Sequence, residues 1–348
     1  MYILKLQSYY IIERNLHMDK NVVLIADRVA DFDNITIHNR DLECIPPTYF
    51  KQIYDGLSKI SPQVTCYNSP KDFCRNLDKH KSDVVLSIWS GIGSKFRKGL
   101  IPSICEANDI CYVGADPYVH ILCQDKFMTK VLASQFGLIS AKSILYYTEK
   151  DIPGIYQLQL PIVVKPNFEG GSNGISQKNL VNRYEDAISL TKELSICFQQ
   201  PILLEEYIEG MEISTSIIGT YDEIDLMDAS QLIIGEEDYY TATLYGFEAK
   251  VQEPEDRKLV PGSKFLTSDL KKSFEQLFYQ IGKTEVLRID GRINKNGDFR
   301  LIELTPDAYL GKRGSTTFCA AQHNISYEQM LELILQNAVK GYLRNRRN

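Results

Sequence analysis

Between residues 22 and 113, short β-branched runs alternate with helical stretches, and that alternation restricts the chain to few architectures. VVLIA (22–26), VTCY (64–67), DVVLSI (83–88) and ICYV (110–113) read as buried strands. Helices fit 46–59 and 97–108. Another starts at Ser69-Pro70, a serine cap followed by proline at the first helical position. Strands separated by helices pair in parallel. The first part of the chain is therefore expected to be an α/β domain built on a doubly wound parallel sheet.

The remainder alternates less regularly. Asp116-Pro117 caps a helical region running to about 136, followed by strands at 143–147 and 160–165, a helix at 182–196 and a strand at 202–208. Strands at 212–219 and 224–234 follow. Residues 235–265 are polar and tyrosine-rich with little periodicity, which suits a lid or binding loop. A helix at 268–282 precedes two strands, 285–293 and 299–304, joined by the turn Asn294-Lys295-Asn296-Gly297. An amphipathic helix at 326–343 closes the chain.

A chain of 348 residues exceeds one small core, so two or three domains are expected. The net charge of −6 argues against nonspecific nucleic-acid binding. Lys5, Gln7, Glu13 and Arg14 interrupt the apolar runs of residues 1–17, which leaves neither a membrane span nor a secretory core. That segment reads as an extension outside the fold. Eight cysteines form no C-x-x-C pair, so a zinc or redox motif is not indicated, and reduced thiols in a cytoplasmic protein are expected.

Three segments carry chemistry. In VVKPNFEGGSNG (163–174), Lys165 ends a strand, and Glu169, Gly170, Gly171, Ser172 and Gly174 follow. Glycines let backbone N–H groups approach an anion, and a lysine beside them completes a phosphate cradle. The lysine precedes the glycines, so this is neither G-x-x-x-x-G-K-[ST] nor G-x-G-x-x-G. A surface turn with a snorkelling lysine fits the segment equally well. In ILLEEYIEGMEI (202–213), Glu205, Glu206 and Glu212 suit ribose hydroxyls beside a strand that reads an adenine edge, or else a solvated edge strand. In LRIDGRINKNGDFRLIELTPD (287–307), Asp290 and Glu303 fall inside apolar runs, where an unpaired carboxylate is costly. Converging across a hairpin they suit a hard cation; the alternative is salt bridges to Arg288 or Arg292.

In order along the chain, these segments resemble the ATP-grasp enzymes, with QDKFMTK (124–130) and LYGFEAK (244–250) as supporting motifs. The D-alanine–D-alanine ligase branch is the nearest resemblance, over roughly residues 84–340. The resemblance implies an ATP-grasp fold of three parts: an N-terminal α/β domain (1–115), a central subdomain (116–206) and a C-terminal subdomain (207–348) with lid loop 235–265. It implies ATP and two magnesium ions, with manganese as a substitute, and small-molecule carboxylate and amine substrates. It also implies no nucleic-acid or membrane partner and, by family habit, a homodimer.

Residue by residue, the resemblance assigns the phosphates to Lys126, Lys165 and residues 169–174, with Ser172 donating. Glu205 and the backbone of Glu206, Tyr207 and Ile208 face adenine, and Glu212 holds the ribose. Lys250 meets the γ-phosphate. Asp290, Glu303 and Thr305 hold metal, Arg288 stabilises the tetrahedral oxyanion and Ser315 takes the second substrate's carboxylate. Several positions depart from the pattern. Thr305 stands where the family has an asparagine ligand, for which Asp307 is a candidate replacement. Gly171 stands for a serine, and Val251 for the lid tyrosine. IWSGIGS (88–94) replaces a histidine-glycine turn, and the N-terminal glutamate is not recognisable. The expected activity is amide formation through an acyl phosphate on substrates other than two D-alanines. Trp89, Tyr239, Tyr240 and Tyr245 are candidates to line the substrate pocket. A nucleotide-binding protein without ligase activity and a carboxylate kinase remain as alternatives.

Overall fold

The computed structural model of the chain describes residues 18–27, 47–91, 96–244 and 257–345. The expectations for residues 1–17, Tyr245, Lys250 and Val251 lie outside the described residues, as does part of the 88–94 stretch.

Strands β1 (Val22–Ile25), β2 (Val64–Tyr67), β3 (Val84–Ser87) and β4 (Cys111–Val113) form a parallel sheet in the order β2-β1-β3-β4. Helices α1 (Pro47–Ile60), α2 (Pro70–Cys74) and α3 (Leu100–Ala107) cover it, and the Ser69 hydroxyl accepts the Asp72 N–H as α2 begins. Side chains alternate along each strand. Val22, Leu24, Val84 and Leu86 pack with Ile53 and Leu57 on one face. Val23, Ile25 and Val85 pack with Phe73, Ile101 and Cys105 on the other. Both faces are buried, which is why these strands read as continuous apolar runs rather than alternating ones.

The helical region expected up to about 136 is two helices, α4 (Pro117–Gln124) and α5 (Lys126–Ser134). Asp125 ends the first and caps the second. Its extended backbone breaks the helix, and its carboxylate accepts the Met128 N–H at 3.0 Å and the Asn167 amide at 2.8 Å. Lys126 consequently opens α5 beside the segment that follows Lys165, whose Asn167 carbonyl accepts the Lys126 N–H.

Two antiparallel sheets follow. β5 (Ser143–Tyr146), β6 (Ile162–Pro166), β7 (Leu180–Val181) and β8 (Ile202–Glu206) are ordered β5-β8-β6-β7, with α6 (Ile152–Ile155) and α7 (Tyr184–Phe198) between them in sequence. β9 (Met211–Thr220), β10 (Glu223–Ile234), β11 (Arg257–Pro261), β12 (Val286–Ile293) and β13 (Phe299–Thr305) are ordered β11-β10-β9-β12-β13. β11 falls inside the stretch expected to be loop: a five-residue, charge-bearing edge strand ending in proline leaves no periodic signal.

Helix α8 (Ser268–Gln280) precedes β12, and α9 (Ser315–Gln322) and α10 (Tyr327–Asn345) end the chain. Met330, Leu331, Ile334, Leu335 and Ala338 of α10 share one core with α1 and the first sheet. Each such fully buried leucine or isoleucine contributes about 1.5–3 kcal/mol, so the end of the chain is fastened to its beginning. No helix among the described residues is long and apolar enough to cross a membrane.

The Asp125 break yields a first test. Asp125→Ala is expected to lower stability by about 1–2 kcal/mol through loss of the α5 cap, read from urea unfolding. An unchanged unfolding midpoint would contradict this role.

Candidate active site

Beyond β6 the chain turns sharply at Gly170–Asn173. The Asn173 N–H donates to the Gly170 carbonyl at 2.9 Å, and φ is positive at Gly171 (59°) and Ser172 (64°). Positive φ at both central positions is what a type I′ turn requires. The turn is fastened on both sides. Asn179 donates to the carbonyls of Val164 and Gly174, at 2.6 and 2.8 Å. Gly174, at φ 72°, sits so close to Phe198 and Pro166 that a Cβ there would lie 2.8–2.9 Å from them. Gly170, Gly171 and Ser172 line a cavity of about 1190 Å³ where the three sheets meet.

The cations beside the turn are buried and hydrogen-bonded. Lys126 donates to the Glu169 carbonyl, and Lys165 to Glu205. Register explains the second contact, because Lys165 and Glu205 lie on the paired strands β6 and β8. Glu205 is also 2.8 Å from Lys130, whose ammonium donates to the Ile302 carbonyl at 3.1 Å. Burial alone would push the Glu205 carboxyl up; the ammonium groups of Lys130 and Lys165 overcome that and hold it at about 2. Burial lowers Lys130, opposed by Glu205.

Glu206, Tyr207, Ile208 and Glu212 continue along the same cavity. The Glu206 carboxylate accepts the Gln159 N–H at 2.9 Å. Arg292, 3% exposed, organises this end. It donates to the Tyr207 hydroxyl at 2.6 Å, the Ile208 carbonyl at 2.8 Å and Glu212 at 3.1 Å, and lies 5.0 Å from the Tyr240 ring centre.

The β12–β13 pair lines the same cavity. Asp290 faces Glu303 and Arg288 faces Thr305 across the ladder, so period-two alternation puts all four on one face. Arg288 holds Asp290 in a bidentate contact at 2.7–2.9 Å and lies 3.9 Å from Glu303. Ser214 donates to Asp290 at 2.7 Å. Burial works against the Arg288 cation, but Asp290 and Glu303 keep it charged. The salt-bridge alternative raised from the sequence thus holds for Asp290 with Arg288, and Arg292 takes Glu212 instead.

Among the described residues no three acids, histidines or cysteines are grouped closely enough to hold a metal unaided. Two cross-strand carboxylates fit magnesium when phosphate oxygens supply further ligands, its usual mode of binding. Asp307 lies two residues past the end of β13. Its carboxylate pairs with Lys98 at 2.7 Å, and although burial opposes ionisation, Lys98 and His120 hold its titration well below the usual carboxylate range. Thr305 shares the strand face of Asp290 and Glu303.

Ser315 is buried at the first position of α9 and lines the cavity with Gly314 and Arg313. Trp89 lines it too, together with Tyr49 and Tyr309. Tyr239 and Tyr240 do not: Tyr240 is buried against Arg292, and its hydroxyl donates to the Leu232 carbonyl. Burial pushes the His120 imidazole down to about 4, so it is neutral at pH 7. Burial pushes the thiols of Cys105, Cys111 and Cys319 up to about 12, which suits packing rather than nucleophilic attack. Sequence reasoning missed Lys130 and Lys98 and gave Arg292 no role beyond a salt bridge. Lys130 is four residues after Lys126 in QDKFMTK, the one signal that it shares a helix face with that residue.

Comparison with known proteins bears on this geometry. The family model described as D-ala D-ala ligase C-terminus matches residues 139–336. The chain is 26% identical over 280 residues to a D-alanine–D-alanine ligase of Actinobacillus succinogenes, covering 78% of this chain and 85% of that protein. It is also 26% identical over 268 residues to an uncharacterised protein, y4sG, of Sinorhizobium fredii, covering 76% and 77%. Among solved structures, a Bacillus anthracis D-alanine–D-alanine ligase complexed with ATP superposes with a TM-score of 0.69 at 14% identity, over 94% of this chain and 99% of that one. The VanG D-Ala:D-Ser ligase of Enterococcus faecalis superposes with a TM-score of 0.64 at 16% identity, over 93% and 100%.

The charge cluster yields a pH test. Because the Glu205 carboxyl is depressed, its contribution is fully present above the ordinary value of 4.5 and is lost as pH falls toward about 2. Glu205→Gln is expected to cost on the order of 3 kcal/mol at neutral pH, with the gap to wild type closing through that window in urea unfolding. A gap that stays constant from pH 6 to pH 2 would contradict the assignment. Gly174→Ala is expected to destabilise by about 1–3 kcal/mol, since the left-handed backbone and the Phe198 contact both oppose a side chain.

Proposed function

The chain belongs to the D-alanine–D-alanine ligase family of ATP-grasp enzymes, and from that premise we propose that it joins a carboxylate to an amine, converting ATP to ADP and phosphate. One observation carries the reading. Lys126, Lys165, Gly170, Gly171 and Ser172 line a single cavity together with Asp290 and Glu303. A triphosphate between them meets cations and backbone amides on one side and carboxylates able to hold magnesium on the other. When bound, magnesium neutralises phosphate charge.

In the first step an oxygen of the substrate carboxylate attacks the γ-phosphorus, and the bond to the β-phosphate oxygen breaks, releasing ADP. Lys126 and Lys165 offset the charge on the phosphates, and Ser172 donates to them. In the second step the amine nitrogen attacks the acyl carbon, the bond to phosphate breaks, and nitrogen loses a proton. Arg288 stabilises the tetrahedral oxyanion, with Asp290 fixing its orientation. Glu212 and the 205–208 strand take the ribose and adenine. Ser315, at the start of α9, takes a carboxylate of the second substrate.

The substrates are proposed to be other than two D-alanines. Gly171 lacks the hydroxyl that the family directs at the first D-alanine, and Lys98, Asp307, Trp89 and Tyr309 line the substrate end of the cavity. The test is an ADP-release screen over paired carboxylates and amines at fixed magnesium, with mass spectrometry of the products. An amide is expected with some pair, and Lys165→Ala is expected to lower the rate at least about a hundredfold. Accumulation of a phosphorylated acid, or tight ATP binding without turnover, would favour the kinase or the non-catalytic alternative. Robust ADP release with D-alanine alone would overturn the substrate reading.

A further inference from the structure

Two consecutive residues of the first sheet's domain contact the segments that follow one strand of each of the other sheets, β6 and β13. Arg97 and Lys98 belong to the short 3-10 turn (Arg97–Gly99) that opens α3. Arg97 lies 3.4 Å from Glu169, and each side chain is only 5% exposed. Glu169 immediately precedes Gly170, and its carboxylate also accepts the amides of Asn173 at 3.0 Å and Gln200 at 2.8 Å. Lys98 lies 2.7 Å from Asp307 and lines the cavity. Asp307 lies two residues beyond Thr305, where β13 ends with Glu303 on the cleft wall.

The turn that carries this pair is itself firmly seated. The Ser103 hydroxyl donates to the Gly99 carbonyl at 2.7 Å. A Cβ at Gly99 would lie 3.2 Å from Ile121 and 3.3 Å from the Pro117 carbonyl, so the turn packs directly on α4. A support with two adjacent cations, each paired to a different segment, fixes the distance between whatever those cations hold. Here it holds the anion-binding turn through Glu169 and the carboxylate hairpin through Asp307.

We propose that Arg97 and Lys98 are positioning residues that clamp the glycine turn and the Asp290–Glu303 hairpin to one support and so set the width of the nucleotide cleft. The proposal rests on the nucleotide reading above. Neither residue touches the reacting atoms. Each acts by holding a carboxylate whose neighbours do.

The test uses full-length protein and Mg-ATP as the probe, with affinity read by titration calorimetry and stability by urea unfolding. Lys98→Asp and Asp307→Lys are each expected to weaken Mg-ATP about tenfold or more, and the double exchange to restore affinity to within about threefold of wild type. Arg97→Lys is expected to retain most of the affinity that Arg97→Met loses, at similar unfolding midpoints. In the wild-type protein, Mg-ATP is expected to slow amide hydrogen exchange at residues 96–100 as well as 169–174, a readout that needs no variant. Wild-type binding with equal affinity in all variants, failure of the double exchange to recover, or unchanged exchange at 96–100 would each overturn the clamp. Absence of Mg-ATP binding by the wild-type protein would instead remove the proposed function, and the clamp with it.

Discussion

A buried cation needs an anion at its side, and the cleft between the three sheets is organised by that requirement. Lys165 and Lys130 share Glu205, Arg288 holds Asp290, Arg292 holds Glu212, Arg97 holds Glu169 and Lys98 holds Asp307. Several of these contacts join different strands or different sheets. The ion pairs therefore fix relative position as much as they neutralise charge. A triphosphate entering the cavity would supply new anionic partners to Lys126 and Lys165. Glu205, with Lys130 behind it, would remain compensated when Lys165 turns to phosphate. A third buried charge thus makes such an exchange affordable.

Much of this was legible in the sequence. The alternating first sheet follows from apolar runs and helix-start signals. Asp290 and Glu303 are expected on two apolar strands joined by Asn294-Lys295-Asn296-Gly297, but their pairing depends on a bulge between Asp290 and Gly291 that shifts the register by one residue and leaves no sign in the sequence. The glycine turn follows from Gly170-Gly171 and from Ser172, which accepts a left-handed backbone. The rest depended on tertiary placement. Asp125 looks like an ordinary helical residue until Asn167 is brought against it from another segment. Arg97, Lys98 and Lys130 carry no local sign of burial, because what buries them is the meeting of three sheets distant in sequence. β11 is short and charged at its start, and it exists because β10 offers an edge to pair with.

The two ends of the cavity differ in character. The end lined by Lys165, Glu205, Glu212, Asp290 and Glu303 keeps the residue types expected of an ATP-grasp site. At the other end Asp307 is tied to Lys98, and Trp89, Tyr49 and Tyr309 supply aromatic surface. Loops carry that end, and loops tolerate change while the sheets that support them do not. A chain can therefore keep one chemical step, activation of a carboxylate, while changing what it activates.

The central claim is that a triphosphate lies between the Lys126–Lys165–glycine-turn wall and the Asp290–Glu303 wall. The most direct measurement is a crystal structure with magnesium and a non-hydrolysable ATP analogue. The account predicts phosphate oxygens within hydrogen-bond distance of Lys165 and the 170–173 amides, with metal between the phosphates and the Asp290 and Glu303 carboxylates. A nucleotide bound elsewhere, with Lys165 still held by Glu205 and no metal at β12–β13, would contradict it.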